Sequence, residues 1–247
     1  MSNYARRGAV TVAVLLTAMI ASAVAPIVSN VIAPVALNPG AVVAPGEATP
    51  VFMDAALDDA QQSSRAELHD SMRKLWSDHA SYTREYIIAA VAGLPDKDAI
   101  TQRLLQNQND IGAAVARFYG SESGGKLAGL LKAHIVTAGE LVAAAKAGNA
   151  AKTDSVDTKW HANADEIAEF LHGANSSGWA TAKVRNAMYV HCAETRSMLE
   201  HRLKKDYAGE IQDADAISQQ VLMMADMLTD GIVAQFPAKF GVTKKGS

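Results

Sequence analysis

The chain has 247 residues and a formal net charge of -3, with 23 basic and 26 acidic residues mixed along its length. No run of lysine or arginine is present that could follow a phosphate backbone, so we expect no nucleic-acid partner. Cys192 is the only cysteine, which excludes an intramolecular disulfide and a thiolate zinc cluster, so any metal ion would need histidine, carboxylate or amide ligands.

The N-terminal segment has the three parts of a secretory signal. Arg6 and Arg7 precede an uncharged apolar run from Gly8 to about Val28, and Ala21-Ser22-Ala23 suits signal peptidase. The run is also long enough to span a bilayer as a transmembrane helix if it is retained. We therefore predict a signal peptide or membrane anchor over residues 1–25, with the rest of the chain outside the cytoplasm, either secreted or tethered to the membrane by this segment alone.

Residues 26–62 are expected to form an extended linker rich in proline and alanine. Prolines recur between residues 26 and 50, and this composition cannot continue a helix. After the linker, apolar residues recur at three- and four-residue intervals and never with a sustained period of two, which indicates helices and no strand.

The predicted domain over residues 63–240 is an antiparallel bundle of about six helices. Each predicted break contains glycine, proline or asparagine, which end helices for backbone reasons. The short connections require neighbouring helices to run in opposite directions. The expected helices span about 63–92, 96–118, 122–147, 153–173, 179–206 and 210–236.

Polar residues recur at nearly equal intervals on the core-facing side of the predicted helices. The odd helices carry His79, His134 and His191, and the second and fourth carry Asn107 and Asn163. The midpoints between successive members fall at or near the predicted turns. Residues equidistant from a turn lie at equal height in antiparallel helices, so we expect these side chains to share one layer in the middle of the bundle.

The pattern around the histidines repeats. His79-x-x-x-Thr83-Arg84 returns as His191-x-x-x-Thr195-Arg196, and His134 begins a weaker copy. The even helices carry an aspartate shortly before apolar residues. Three helical hairpins, each a histidine helix followed by an aspartate helix, would account for this pattern. The aspartates are Asp110, Asp165 and Asp226.

Three interpretations of the layer remain open. Neutral imidazole with carboxylate suits a divalent transition metal such as Zn, Fe, Mn or Cu, with the ligands drawn from His79, His134, His191, Asp110, Asp165 and Asp226. The order His191-x-x-Glu194 reverses the Glu-x-x-His pair of di-iron bundles and argues against a di-iron centre. The layer can also consist of hydrogen-bonded core residues that set helix pairing, or supply acid–base catalysis. We expect arginines to pair with the three aspartates inside the bundle; these are Arg84, Arg196 and Arg202.

Several segments resemble a family of small bacterial all-helical proteins without an established activity. They include His79-x-x-x-Thr83-Arg84, Arg103-Leu104-Leu105-x-Asn107, Trp160-x-x-Asn163-Ala164-Asp165 and Met224-Ala225-Asp226 with the following Gly231-Ile232-Val233-x-Gln235-Phe236-Pro237. The resemblance covers about residues 68–240 and implies a helical fold. Tyr82 stands where the family usually has tryptophan. Some members are named acetylglutamate kinase, but the chain has no glycine-rich phosphate loop and matches no amino-acid kinase fold.

The sequence therefore predicts an exported or membrane-tethered helical bundle with a central His/Asn/Asp layer. We expect a non-enzymatic binding or structural protein, with a metal-binding or small-ligand-binding bundle of redox or hydrolytic activity as the alternative. The identity of a protein or small-molecule partner does not follow from the residues.

Overall fold

Five α-helices and one short 3₁₀ helix make up the described part of the chain. The structure, a computed structural model, describes the backbone of residues 50–241 and the side chains of residue 62 and residues 64–241. Every regular element in that range is helical, which confirms the predicted all-α bundle. The elements are α1 Pro50–Ala92, α2 Lys97–Lys146, α3 Ala150–Ala174, α4 Thr181–Lys204, α5 Tyr207–Gln235 and the 3₁₀ helix Pro237–Lys239.

The helices pack in chain order around a common core. Each of α1 to α5 contacts the next, and α5 also packs on α1, so the bundle closes on itself. Trp160 and Ile111 are among the side chains that are almost completely buried in this core. Closure places the inner faces of all the helices around one axis.

The second helix is folded at Gly120. This residue has φ 85° and ψ 162°, outside the helical range. The segments on either side lie against each other, because an added Cβ on Gly112 would be 2.5 Å from the carbonyl oxygen of Gly124 and 2.8 Å from Cβ of Ala128. Glycine at position 120 allows the positive φ, and glycine at positions 112 and 124 allows the close approach of the two segments. The break predicted over residues 120–125 is thus confined to Gly120, and the described residues form five helices, one of them folded into two segments, where six helices were expected.

The bundle can be described as three hairpins. The first consists of α1 and residues 97–119 of α2, the second of residues 121–146 of α2 and α3, and the third of α4 and α5. Side-chain caps mark two of the connections: Asn149 Oδ1 accepts from Lys152 N, and Asp206 Oδ1 accepts from Gly209 N. Such caps satisfy backbone donors that a helix start leaves unpaired.

The predicted N-terminal segments lie mostly outside the described residues. The signal or anchor over residues 1–25 and the greater part of the linker over 26–62 belong to the undescribed range. The last part of that linker is different, since α1 begins at Pro50 and not at residue 63. Proline is tolerated in the first turn of a helix, where its missing N–H has no partner in any case.

One described helix meets a length-and-composition criterion for crossing a membrane. It is α2, in which the most apolar window is 39% buried within the protein. Because α2 is folded at Gly120 and packs on α1 and α3, its buried apolar residues form part of the hydrophobic core. Core helices of bundles meet the same criterion, so this is weak evidence for a membrane span.

Candidate functional site

The structure brings the three core histidines together at the centre of the bundle. His79 lies on α1, His134 on α2 and His191 on α4, each at most 3% exposed. Nε2 of His79 is 3.4 Å from Nε2 of His191. The ring centroids of His134 and His191 are 6.4 Å apart. This central group of imidazoles, together with the amides described next, is called the histidine layer below.

Each histidine faces an amide side chain on the following helical segment at the same sequence distance. Gln108 lies 3.3 Å from Nδ1 of His79, Asn163 lies 2.8 Å from Nδ1 of His134, and Gln220 lies 3.2 Å from Nδ1 of His191. All three pairs are separated by 29 residues. Gln108 and Gln220 were not predicted from the sequence, although a search for amides at a constant distance from each histidine would have found them.

The amide nitrogens link the two helical segments of each hairpin, because they donate to backbone carbonyl oxygens of the histidine-bearing segment. Asn163 Nδ2 donates to the carbonyl oxygen of Leu130 at 3.3 Å, and Gln220 Nε2 donates to that of Ala187 at 2.9 Å. Both carbonyls lie one helical turn before the hairpin's histidine. In the first hairpin the corresponding bond, from Nδ2 to the oxygen of Leu75 at 3.0 Å, comes from Asn107 instead of Gln108.

The extra amide in the first hairpin reverses the orientation of Gln108. Its Nε2 lies 2.9 Å from the oxygen of Leu104 and 3.1 Å from Oδ1 of Asn107, so its two N–H groups are shared between these oxygens and His79 Nδ1. In this orientation Oε1 of Gln108 is buried without a hydrogen-bond partner among the described residues. The nitrogen of Gln108 therefore faces His79 Nδ1, whereas an oxygen faces Nδ1 in the other two hairpins. Amide orientation is assigned from such partners.

These orientations assign the tautomers of the histidines. Asn163 Oδ1 and Gln220 Oε1 only accept, so His134 and His191 carry their proton on Nδ1 and leave Nε2 as an acceptor. Gln108 Nε2 cannot accept a hydrogen bond, so a proton on His79 Nδ1 would have no acceptor, and His79 carries its proton on Nε2. His79 Nε2–H can then donate to His191 Nε2. If both rings carried their proton on Nδ1, the lone pairs of the two Nε2 atoms would face each other.

Burial keeps the histidine layer neutral. Burial lowers the pKa of His79 well below its usual value, and the neighbouring His191 and His134 lower it further. Burial likewise lowers the pKa of His134 to about 3 and that of His191 to about 4, although the hydrogen bonds that the rings donate to Asn163 and Gln220 oppose the shift. All three rings are therefore uncharged near neutral pH, because transfer of a charge into the core is unfavourable.

The remaining nitrogen of the layer meets a thiol. Cys192 Sγ lies 3.9 Å from His134 Nε2 and is completely buried. Burial raises the pKa of the Cys192 thiol, with a contribution from Asp157, so the sulfur stays protonated. A neutral S–H is a weak donor, and here it points to the one ring nitrogen that no amide or imidazole contacts.

The predicted aspartates do not join the histidines. Their partners are side chains at the rim of the bundle, and each carboxylate is about one-third exposed. Asp226 accepts two bonds from Arg73, at 2.6 and 2.7 Å, and Asp165 is bound by Arg185 and Tyr189. Asp110 is bound by Gln106 and Arg103. The Arg73 guanidinium lowers the pKa of Asp226.

The expected pairing of arginines with these aspartates is wrong. Arg84 and Arg202 both bind Glu210, whose side chain is 2% exposed. Arg196 binds Asp154, Asp157 and Glu200. Glu210 lies in the first turn of α5, and its charge is stabilised there by two cations as well as by the helix N-terminus. Charge alone did not distinguish this buried glutamate from the exposed acids around it.

Glu194 forms no ion pair with a histidine or an arginine among the described residues. Its Oε2 is buried without a hydrogen-bond partner in the described part of the chain. Burial and the nearby Asp213 raise the pKa of the Glu194 carboxyl. Within residues 50–241, no group of three or more His, Cys, Asp or Glu side chains is placed to hold a metal ion. The layer is thus a set of hydrogen bonds between neutral groups.

Comparisons with protein-family models, with curated proteins and with solved structures found no match to this chain.

Proposed function

We propose that this chain is a non-enzymatic structural or binding protein in which the histidine layer determines how the helices pair. One observation carries the proposal: every ring nitrogen of the three histidines faces a partner inside the protein. A catalytic base or a metal ligand needs a lone pair that its reaction partner can reach. Here the lone pairs are directed at neighbouring side chains.

The layer favours one pairing of the hairpins over others. The hairpins resemble one another in their apolar spacing, so burial of apolar surface alone distinguishes their arrangements poorly. A shift of one helix by a turn would separate His134 from Asn163, and each unpaired buried group costs about 1–3 kcal/mol. With several such groups in one layer, the penalty for a wrong register is comparable to the stability of a whole domain.

Export or tethering of the bundle rests on the sequence of the N-terminal segment. Arg6 and Arg7 before the apolar run support an orientation with the bundle outside the cytoplasm. Intact-mass measurement of the protein recovered from exported and membrane fractions tests this. Loss of about the first 25 residues would support a cleaved signal, retention in the membrane fraction would support an anchor, and recovery from the cytoplasm would contradict both.

A metal-binding or small-ligand-binding bundle with redox or hydrolytic activity is the second candidate. The facing Nε2 atoms of His79 and His191, 3.4 Å apart, favour it, because two imidazoles at such a distance can bind one ion after a small movement. A metal ion would have to replace the hydrogen bond between them. The aspartates at the rim do not face the histidines and are paired with arginines, so they would become ligands only after a rearrangement.

Elemental analysis separates the two candidates. The full chain would be incubated with Zn, Cu, Fe and Mn, freed of unbound metal and analysed beside a variant with His79, His134 and His191 all changed to Ala. We expect no stoichiometric metal in the unaltered protein and a much lower melting temperature in the variant. Stoichiometric metal that a still-folded variant loses would contradict the structural role. His161→Ala, at a half-buried histidine outside the layer, serves as the control.

A further inference from the structure

An apolar groove lies on the outer side of the third hairpin, between α4 and α5. It has a volume of about 450 Å³. Val190 of α4 and Met223 of α5 line it, and these two residues are 38% and 65% exposed. Single exposed apolar side chains are common on protein surfaces, whereas neighbouring ones that share a face mark a contact surface.

The other two hairpins carry an acid at the position of Met223. Met223 lies three residues after Gln220, whose amide nitrogen donates to a backbone carbonyl of the histidine-bearing helix. The residue three positions after the corresponding asparagine is Asp110 in the first hairpin and Glu166 in the second. Two of these three equivalent positions thus carry a charge, and the third presents an apolar side chain to solvent.

The residues on the outer side of this hairpin follow the spacing of a coiled coil. On α4 they are Asn186, Val190, Ala193 and Ser197, and on α5 they are Gln212, Ala216, Gln219 and Met223. All eight are exposed or half-buried, and none carries a charge. Both series advance by four, three and four residues, which places the side chains in one line along each helix. A pair of helices with such a face has the spacing needed to pack against another pair.

Opposite charges flank one end of the groove. Lys183 lines it from α4, and Asp230 lines it from α5. Lys183 is exposed and forms no ion pair within the described part of the chain. The side chain of Asp230 is 72% exposed and lies 3.7 Å from that of Arg65. Both charges therefore have surface available for a partner that carries the opposite charge at the same height.

We propose that the groove is the interface of a homodimer in which the α4–α5 hairpins of two copies pack face to face. A two-fold axis along the groove places α4 of one copy over α5 of the other, because the rotation exchanges the two sides and keeps the position along the groove. Val190 then packs on Met223 of the second copy, and Lys183 faces Asp230 of the second copy. The symmetry forms each of these contacts twice.

The size of the face indicates a weak dimer. Lys183 and Lys204 enclose a stretch of α4 about 30 Å long, and two adjacent helices are about 20 Å wide. The face thus covers about 600 Å² on each copy, at the lower end for specific interfaces. We expect a dissociation constant of about 1–100 μM. The face lies outside the histidine layer, so the inference does not depend on the role of that layer.

Sedimentation velocity of the full chain, in detergent if the N-terminal segment is retained, measures this equilibrium. We expect a concentration-dependent dimer, and a dissociation constant about 100-fold larger for Met223→Glu, because the change buries an unpaired charge twice. Val136→Glu alters a 55% exposed residue of α2 in the same way and should leave the equilibrium unchanged.

Two results of this measurement would overturn the proposal. One is a monomer at about 1 mM, well above the expected dissociation constant, which would point to a different occupant of the groove. The other is a dimer that Met223→Glu leaves intact, since another surface, such as the N-terminal segment, would then hold the copies together.

An exchange of charges tests how the two copies are oriented. Lys183→Asp and Asp230→Lys each place like charges opposite each other twice, so each should weaken the dimer about tenfold. A mixture of the two variants restores opposite charges in both contacts and should associate as strongly as the unaltered chain. Lys126→Asp, at the equivalent lysine of the second hairpin, is the control and should keep the dimer. A mixture that associates no better than either variant alone would refute the proposed arrangement.

Discussion

His134 and the pair formed by His79 and His191 find partners for their buried ring nitrogens in two different ways. His134 donates to Asn163 and meets the thiol of Cys192 on its other side, whereas His79 and His191 meet each other. All three sit in the same His–amide arrangement with the same separation of 29 residues. A strictly repeated unit would give all three rings the same tautomer, and the rings of the pair would then repel.

Asn107 removes this conflict. It takes over the backbone bond that Asn163 and Gln220 make in their own hairpins, and its Oδ1 holds Gln108 in the reversed orientation. His79 consequently becomes the donor that His191 needs. The departure of the first hairpin from internal symmetry thus has a physical cause, as the symmetry itself does. Four measurements test the difference between His134 and the His79–His191 pair.

Acidification should have the largest effect on the free energy of unfolding, and it should act on all three histidines in the same way. Their folded-state pKa values lie below the unfolded value of about 6.5. The unfolded chain therefore binds more protons at acid pH, so the stabilisation is complete above about pH 6.5 and is lost as the pH falls. Between pH 7 and pH 5 we expect the free energy of unfolding to drop by about 2 kcal/mol per histidine, measured by urea unfolding. The same stability at both pH values would show that the rings are not buried neutral groups.

Replacement of a paired histidine should cost more than replacement of His134. His191→Leu leaves both Gln220 Oε1 and the Nε2–H of His79 without a partner, whereas His134→Leu leaves mainly Asn163 Oδ1. We expect losses of about 2–6 and 1–3 kcal/mol in the free energy of unfolding, because each orphaned group costs about 1–3 kcal/mol. Urea unfolding at pH 7.5 measures both. Equal losses would contradict the hydrogen bond between the two rings.

Asn107→Leu should change the tautomer of His79. Without Oδ1 of Asn107, Gln108 can turn its oxygen towards His79 Nδ1, which moves the proton of His79 to Nδ1 and opposes two lone pairs. We expect a loss of about 1–3 kcal/mol in the free energy of unfolding. The ¹⁵N shifts of the His79 ring should exchange their order in a long-range ¹H–¹⁵N spectrum. Asn109→Ala, at the neighbouring amide that binds Gln106, should leave those shifts unchanged.

Cys192→Ala should have the smallest effect and should be confined to His134. The change removes a weak donor and a buried sulfur, for which we expect a loss of about 1 kcal/mol in the free energy of unfolding. The ¹⁵N shift of His134 Nε2 should move, while the ring shifts of His79 stay in place. A response of His79 as large as that of His134 would show that the two regions are not independent.

The predictable parts of this protein were those that depend on local order along the chain. The helices after residue 63 were recognised from the three- and four-residue spacing of apolar residues, and the burial of His79, His134 and His191 from their positions within it. The position of the fold at Gly120 was predicted only as a break within residues 120–125, because the sharpness of the fold depends on the contact between Gly112 and Gly124. The start of α1 at Pro50 was missed because proline was taken as a helix breaker.

Side-chain partners were less predictable than positions. Asp226, Asp165 and Asp110 were expected near the histidines, but each lies on a face of its helix where an arginine can reach it. Glu210 resembles many other acids in the sequence, and only the approach of Arg84 from α1 and Arg202 from α4 explains its burial. A rotation of a helix by one residue changes the face of a side chain by about 100°, which spacing alone does not resolve.

Helical periodicity and helix-ending residues act over a few neighbours, so the amino-acid pattern was enough to predict an all-helical domain over residues 63–240 and the positions of the three histidines within it. The closure of the bundle from α5 onto α1, the contact of His79 with His191 and the inward nitrogen of Gln108 became known from the packed helices. These outcomes depend on distances between residues far apart in the chain, and such distances exist only after the helices have packed.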